Sequence, residues 1–193
     1  MEAAIFLALL AVLGFGIYWA KEYRQKTTLL NSTITQLTRC NKDMKITLLK
    51  GLIRRFGNGD DDEETPWDFE RFVGRVLEQY YNCSVEVTMA SNDYGVDLRL
   101  HQSDGLYLGQ VKCYQEDNKV GFEPIAIIHS QMLKQKARGG YVVTTSDYTA
   151  NARQYAADLN IRLINGCELV EMWTETVEAA ETKNKAAAKP QQA

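Results

Sequence analysis

The chain has 193 residues, of which 45% are hydrophobic and 24% are charged, and its formal net charge is −3. This length has room for one ordinary domain with additional segments. Its two histidines, His101 and His129, argue against histidine-based zinc or acid–base chemistry. Its four cysteines lack metal-ligand spacing, which favours free thiols in a reducing compartment.

The first element is an uncharged stretch from Ala3 to Ala20. As a helix it would span about 27 Å, close to the thickness of a bilayer core. A secretory signal is the alternative, but the stretch lacks a basic leading region and a small-residue cleavage site. Basic residues follow at once, beginning with Lys21 and Arg24. We therefore predict a single transmembrane helix over residues 1–20, in a bacterial inner membrane, with the rest of the chain in the cytoplasm.

Residues 21–57 hold nine Lys or Arg against two Asp or Glu and have a helical pattern. The positions of a heptad seam are Leu30, Ile34, Leu37, Asn41, Met44 and Leu48. Asn41 would be the buried polar residue that fixes the register of a two-stranded coil. We predict a basic helical stalk that forms a homodimer. Packing of the helix on its own domain, and binding of its cations to anionic lipid head groups, are the alternatives.

An acidic segment, residues 58–66, holds five acids and no base and reads as a flexible linker. The folded domain then begins at Trp67 with a helix. The apolar face of this helix contains Phe69, Phe72, Val73, Val76, Leu77 and Tyr80. Glu70 lies at the edge of this face, where a solvated glutamate is the default interpretation.

Two strands, Gly95 to His101 and Leu106 to Tyr114, follow and are joined by a turn over residues 102–105. A loop centred on Ser103-Asp104 places Asp97 across from Gln110, whereas a loop centred on Asp104-Gly105 places it across from Lys112. Gln110 and Lys112 share one face because strand side chains alternate. Either register brings together a carboxylate, an amide and an ammonium, which suits a divalent cation beside a phosphate. A surface hairpin with scattered polar residues is the alternative.

The later elements alternate between helix and strand. We predict a helix from Glu123 to Arg138 that Gly139-Gly140 ends, and a buried strand from Tyr141 to Thr145. A helix capped by Thr149, a strand from Ile161 to Ile164 and a closing helix from Cys167 follow. Residues 174–193 read as a frayed or disordered tail. This order describes a mixed α/β fold with helices covering a central sheet.

Five separated motifs occur in one order and carry a family resemblance. They are Phe69-Glu70-Arg71-Phe72-Val73, residues 92–97 (Asn-Asp-Tyr-Gly-Val-Asp), Gln110-Val111-Lys112 with Tyr114, Val143-Thr144-Thr145-Ser146, and Ala152 with Ala156. Residues 67–173 resemble the catalytic domain of Mrr-like restriction endonucleases, a branch of the PD-(D/E)xK nuclease superfamily. Gln110 fits the branch that replaces the second acidic residue by glutamine, and Val96 stands where proline is common.

The resemblance implies a restriction-endonuclease-like mixed central sheet flanked by helices. Asp97, Gln110 and Lys112 match its catalytic core, and Glu70 matches a helix glutamate that assists the metal site. Mg²⁺, with Mn²⁺ as a substitute, would be bound by Asp97, the Gln110 side-chain oxygen, the Val111 carbonyl and Glu70. Asp93 could add another acidic oxygen, although a turn residue explains it equally well.

Contacts with DNA phosphates are expected from Lys119, Lys134, Lys136 and Arg138. Hydroxyl contacts are expected from Thr144, Thr145 and Ser146, for which structural roles at the strand end are an equal alternative. From residue 67 to 173, however, ten basic residues face fourteen acidic ones. A tight duplex binder usually has a basic surface. We therefore expect weak intrinsic affinity, compensated by dimerisation, the basic helix or membrane confinement.

Two functions follow from these expectations. The first is a membrane-anchored, cytoplasm-facing DNA endonuclease that acts in restriction of foreign DNA. The second is a non-catalytic membrane adaptor that keeps the nuclease fold to bind DNA or a protein partner. Cleavage of plasmid DNA with Mg²⁺ or Mn²⁺ distinguishes them.

Overall fold

A computed structural model describes residues 2–57, 65–88 and 94–187, with side chains for 14–57, 65–88 and 94–185. Most of the predicted acidic linker, Asp93 and residues 188–193 lie outside the described residues. The chain divides into two compact units, Met1–Met44 and Lys45–Ala193.

The first unit is helical from Glu2, where helix α1 (Glu2–Gly57) begins. The predicted transmembrane segment falls largely on residues 1–13, whose side chains lie outside the described part. In what the structure does describe, no helix combines the length and the apolar character needed to cross a bilayer. Leu30, Ile34, Leu37 and Met44 of the predicted heptad seam are exposed in the single chain.

In the second unit, the last turns of α1 belong to the folded core. Leu49, Leu52, Ile53 and Phe56 are buried and recur at helical spacing on one face. They pack with the buried residues of helix α2 (Pro66–Tyr81), and the Phe56 and Phe69 rings lie 5.3 Å apart. From Lys45 onward, helix α1 therefore packs on its own domain. The predicted stalk over residues 21–57 does not extend through this part, where the alternative given for the helix holds.

The sheet has five strands in the order β1-β2-β3-β4-β5. They are β1 (Ser84–Val87), β2 (Leu98–Gln102), β3 (Gly105–Lys112), β4 (Gly139–Thr144) and β5 (Ile161–Ile164). The first three strands pair antiparallel, and β3, β4 and β5 pair parallel. A mixed sheet of this kind, flanked by helices, fits the restriction-endonuclease-like fold.

The register of the hairpin follows the loop centred on Ser103-Asp104. Gln102 pairs with Gly105 and Leu98 pairs with Gly109. Continued by one residue, this pairing sets Asp97 opposite Gln110. Strand β2 begins at Leu98 rather than at Gly95 because Tyr94 and Gly95 form a turn with φ of 51° and 80°.

Helix α3 (Glu123–Gln135) ends earlier than predicted, and a different residue ends it. Lys136 adopts the left-handed conformation, with φ of 55°, and its N–H donates to the Met132 carbonyl. Gly139 and Gly140 open strand β4 instead. A methyl group on Gly140 would lie 2.5 Å from Cγ2 of Ile128, so close packing of helix on strand, not helix termination, requires glycine here.

Helix α4 (Ala150–Ala156) is capped by Thr149, as predicted, and the Thr149 side chain accepts a hydrogen bond from the Ala152 N–H. Helix α5 (Gly166–Ala187) extends beyond Trp173, through residues for which a frayed tail was expected. Thr176 is buried there, and its hydroxyl donates to the Trp173 carbonyl. This segment is also rich in Ala, Glu and Lys, which favour helix.

Two apolar clusters cover the two faces of the sheet. One contains the end of α1, α2 and the start of α5, and it includes Val111 and Val143 from the central strands. The other contains α3 and α4, with Leu108 and Val142 from the same strands. Because side chains alternate along β3, Gln110 and Lys112 lie on the Leu108 face.

Candidate active site

Asp97 lies between the turn at Tyr94-Gly95 and strand β2, and it is 7% exposed. Its Oδ2 accepts a hydrogen bond of 2.7 Å from the Val111 N–H, and its own N–H donates to the Gly109 carbonyl at 2.8 Å. Strand β3 therefore fixes both the main chain and the side chain of Asp97. A buried carboxylate that accepts a hydrogen bond is oriented for a cation or a proton.

Gln110 is 5% exposed, and its Oε1 accepts no hydrogen bond from any residue that the structure describes. A buried amide oxygen without a partner costs about 1–3 kcal/mol of stability. A hard cation would satisfy this oxygen, because carbonyl and carboxylate oxygens are ligands that such ions prefer. The donor set of Asp97 and Gln110 therefore fits a divalent metal.

Lys112 ends strand β3 and is half-buried. It follows Gln110 on the same face, and the Asp97 carboxylate bonds to the residue between them. The structure thus brings Asp97, Gln110 and Lys112 together. The neighbouring Cys113 is no rival nucleophile, because burial raises the pKa of its thiol and keeps it protonated near neutral pH.

Glu70 is half-buried in α2, at the edge of the buried face. Helix α2 packs against β1, β2 and β3 on the Val111 face of the sheet, whereas Gln110 and Lys112 lie on the other face. Within the described ranges, no three His, Cys, Asp or Glu side chains are grouped as metal ligands. A metal site built from these residues therefore needs the Gln110 oxygen and main-chain oxygens such as the Val111 carbonyl.

Among the predicted DNA contacts, Lys134 contacts an aromatic ring in the segment that leads to Asp97. Its ammonium lies 4.2 Å from the centre of the Tyr94 ring, a cation–π contact, and this ring is largely exposed. Tyr94 belongs to the motif of residues 92–97, but no role was predicted for it from the sequence.

The other predicted cations lie in two separate places. Lys119 is exposed in the loop after β3. Lys136 and Arg138 precede β4, whose first residue, Gly139, pairs with Tyr107 near the start of β3. Five residues of strand separate Tyr107 from Lys112, roughly 17 Å. Lys136 and Arg138 therefore lie toward the opposite end of β3 from Lys112.

Thr144, Thr145 and Ser146 are buried, and their polar groups bond within the protein. The Thr145 hydroxyl donates to the Tyr114 carbonyl at 2.7 Å and accepts from the Tyr114 N–H at 2.8 Å. The Thr144 Oγ1 accepts from the Ser146 N–H at 3.1 Å. This geometry favours structural roles at the strand end over contacts with DNA.

Thr145→Val tests this structural role. Valine has the shape of threonine but leaves the Tyr114 N–H and carbonyl without their partner, so we expect the free energy of unfolding to fall by about 2 kcal/mol. Thr145→Ser keeps the hydroxyl and serves as the control, with a loss of about 1 kcal/mol. Urea unfolding measures both. Unchanged stability of the valine variant together with weaker DNA binding would instead support a phosphate contact.

Gly95→Ala tests the turn before Asp97. With φ at 80°, an alanine Cβ would lie 2.7 Å from Cγ2 of Ile127 and 3.3 Å from Nε2 of Gln110. We expect the stability to fall by about 1–2 kcal/mol because of backbone strain. DNA cleavage should fall by at least tenfold, since Gln110 must move.

The matched control is Gly51→Ala, at an exposed helical glycine with nothing within 4 Å of the added methyl group. It should leave cleavage unchanged and raise stability by up to about 1 kcal/mol. Thermal melting and plasmid nicking measure the two effects. Full cleavage by Gly95→Ala would show that the position of Gln110 is not critical.

Comparisons with known proteins agree with this geometry. Residues 62–173 match the profile of the Mrr catalytic domain, described as a restriction endonuclease. A structure of the MspJI restriction endonuclease with a 27-mer oligonucleotide superposes with a TM-score of 0.55 and 21% identity, covering 70% of this chain and 32% of that one. AspBHI, a DNA modification-dependent restriction endonuclease, superposes with a TM-score of 0.55 and 20% identity, covering 75% and 40%. A search of curated proteins finds no match.

This chain spans about a third to two fifths of the length of these two enzymes, and at these identities they show the fold alone. The family match is of a different kind, because it covers more than half of the chain and includes Asp97, Gln110 and Lys112. The chain therefore belongs to the restriction endonuclease family defined by the Mrr catalytic domain.

Proposed function

The chain carries a nuclease domain, and we propose that it is a membrane-anchored, cytoplasm-facing endonuclease that hydrolyses the phosphodiester bonds of DNA in restriction of foreign DNA. The observation that carries this proposal is the buried Gln110 oxygen, which has no described hydrogen-bond donor, beside the buried carboxylate of Asp97. Lys112 follows on the same face of β3. The similar fold of MspJI, whose structure contains an oligonucleotide, supports DNA as the polymer.

Restriction-endonuclease-like domains generally use divalent metals, and here the ion is proposed to be Mg²⁺, with Mn²⁺ as a substitute. Its ligands would be Asp97, the Gln110 oxygen, the Val111 carbonyl and Glu70. When bound, such an ion activates water and offsets charge on the phosphate. Because Gln110 is neutral, the chain adds less negative charge than a pair of carboxylates would, and a high concentration of free metal is expected to be needed.

Lys112 orients the attacking water or, as a neutral amine, accepts its proton. The water oxygen bonds to phosphorus, the bond from phosphorus to the leaving sugar oxygen breaks, and the leaving oxygen takes up a proton from Lys112 or from solvent. As an ammonium, Lys112 offsets the charge that grows on the phosphate oxygens. Asp97 bonds to the main chain of Val111 and so fixes the approach of strand β3 to this point.

Membrane anchoring is proposed from the uncharged stretch of residues 3–20 and the basic residues that follow it. Resistance of the chain to extraction from membranes by alkaline carbonate tests the anchor.

A homodimer is proposed from the exposed seam of Leu30, Ile34, Leu37 and Met44, with Asn41 between them. Light scattering of the purified chain measures its mass.

The test of the activity itself is cleavage of supercoiled plasmid by the purified full chain. We expect nicked and linear products with Mg²⁺ or Mn²⁺ and none with EDTA. The alternative, a non-catalytic membrane adaptor that binds DNA or a protein, is favoured by the acidic balance of residues 67–173 and by the neutral Gln110. Binding without cleavage in any divalent metal would support the adaptor and reject the nuclease.

A further inference from the structure

The end of α1 presents three exposed basic residues next to its buried face. Leu49, Leu52, Ile53 and Phe56 are buried in the domain core. Lys50, Arg54 and Arg55 alternate with them in the sequence and are exposed, and these three residues are the α1 basic face. Buried neighbours fix the position of this face. It lies outside residues 62–173, the part that matches the family profile.

The α1 basic face lies beside the chain that leaves the catalytic strand. Strand β3 ends at Lys112, and Gln115 follows three residues later. A methyl group on Gly57, the last residue of α1, would lie 3.5 Å from Nε2 of Gln115 and 3.7 Å from Sγ of Cys113. Helix α1 therefore ends directly against the segment that follows Lys112.

Beside this contact, residues of both segments line a hollow of about 270 Å³. Its lining residues are Lys50, Ile53, Arg54, Gln115 and Glu116. No acidic side chain in the described ranges lies within ion-pair distance of Lys50 or Arg54. Of the described residues in this lining, Glu116 is the one carboxylate, and it faces the cations of Lys50 and Arg54.

The positive charge continues around the end of the helix onto α2. Arg55, Arg71 and Arg75 line a second hollow of about 190 Å³, together with Asp68. Asp68 lies 3.8 Å from Arg71 and also accepts hydrogen bonds from Thr65, which lower the pKa of its carboxyl group. Among the described residues that line this second hollow, Asp68 is the one carboxylate, and Arg71 and Arg75 add basic side chains on α2.

We propose that the α1 basic face, through Lys50 and Arg54, binds phosphates of the DNA strand that flanks the bond cut at Asp97, Gln110 and Lys112. The inference rests on the proposed function in taking DNA as the polymer. It explains how a domain with fourteen acidic and ten basic residues between 67 and 173 binds a polyanion, because the cations come from the helix before it. Continuity with the end of β3 favours DNA over lipid head groups.

The test compares two double variants of the full chain. Lys50→Gln with Arg54→Gln removes the proposed phosphate contacts. Lys183→Gln with Lys185→Gln removes two exposed cations from α5 in the same unit and is the matched control. Binding to a fluorescent DNA duplex is measured by anisotropy in EDTA, between about 50 and 200 mM salt. EDTA separates binding from cleavage.

Each lost phosphate contact lowers the slope of log K against log salt by about 0.9, so the α1 variant should lose about 1.8. Its affinity should fall roughly tenfold, while the control keeps its slope. Both variants should melt like the unmodified chain because all four side chains are exposed. An unchanged slope in the α1 variant, or an equal loss in the control, would overturn the inference.

Vesicles of phosphatidylcholine with and without phosphatidylglycerol form the second arm. If the α1 variant loses binding to anionic vesicles but keeps its affinity for DNA, the surface binds lipid and the inference is wrong. Plasmid cleavage by the unmodified chain reports separately on the proposed function. A chain that cleaves nothing but shows the expected slopes would retain this inference and lose the nuclease.

Discussion

Asp97→Asn and Lys112→Ala are each expected to reduce plasmid cleavage roughly a thousandfold, a loss of about 4 kcal/mol of transition-state stabilisation. Asparagine keeps an oxygen that can accept the 2.7 Å hydrogen bond from Val111, so the local fold remains while the negative charge is lost. Alanine at Asp97 would leave this buried N–H unpaired, at a cost of about 1–3 kcal/mol, and would mix a folding defect with a catalytic one.

Lys183→Ala is the matched control for Lys112→Ala, since it removes an exposed lysine from α5 and should leave cleavage unchanged. Circular dichroism and thermal melting should be the same for all of these proteins. Nicking is measured with both Mg²⁺ and Mn²⁺. If both site variants cut as fast as the unmodified chain, the catalytic role of these residues is refuted, even though the family and fold remain.

Local patterns predicted much of this fold because local rules determine it. The turn of residues 102–105 left two registers of the hairpin open, and in both of them the alternation of side chains places Gln110 and Lys112 on one face. The Thr149 hydroxyl caps helix α4 by accepting a hydrogen bond from Ala152, and this interaction is predictable because both residues lie within four positions of sequence. These features need no knowledge of distant contacts.

Features set by distant packing were not predicted. The Gly139-Gly140 pair resembles a helix end. In the structure, however, Tyr107 and Ile128 pack so closely against the start of β4 that they leave no space for a Cβ at these two positions. The last turns of α1 resemble a solvated stalk, because their apolar residues fit a coiled coil and a domain core equally well. Thr145 resembles a donor to DNA until its hydroxyl is seen between the N–H and carbonyl of Tyr114.

The candidate site shows the same division. Spacing along the hairpin identified Asp97, Gln110 and Lys112, whereas the fit for a metal depends on burial. Only the structure shows that no described residue donates a hydrogen bond to the Gln110 oxygen and that Tyr94 and Gly95 form a left-handed turn. Charge counted over residues 67–173 was misleading as well, because Lys50 and Arg54, which precede the domain in sequence, line a hollow with the segment that follows β3.

Gln110→Glu is expected to lower the Mg²⁺ concentration for half-maximal cleavage by at least about tenfold, or 1.4 kcal/mol of metal binding. The substitution adds a second carboxylate to a buried site that already holds Asp97. The positive charge of a divalent ion stabilises two neighbouring carboxylates. The substitution requires little extra space because glutamine and glutamate have nearly the same shape.

Without metal the same change should destabilise the protein. Burial and repulsion from Asp97 raise the pKa of the new carboxyl group above its unfolded-state value of about 4.3. Above that pH the unfolded chain releases the proton first, so stability in EDTA should fall as pH rises from about 4.3 through the raised folded-state pKa, and then level off. Added Mg²⁺ should restore the melting temperature.

Gln131→Glu is the control that separates metal binding from mere burial of a carboxylate. Gln131 is also a buried glutamine, but it lies in α3, where its oxygen accepts a hydrogen bond from Gln135. Its glutamate variant should lose stability with rising pH and gain nothing from Mg²⁺. If Gln110→Glu behaves in the same way, the Gln110 oxygen does not contact the metal. The neutral residue would then have a packing role, and the metal would depend on Asp97, the Val111 carbonyl and Glu70.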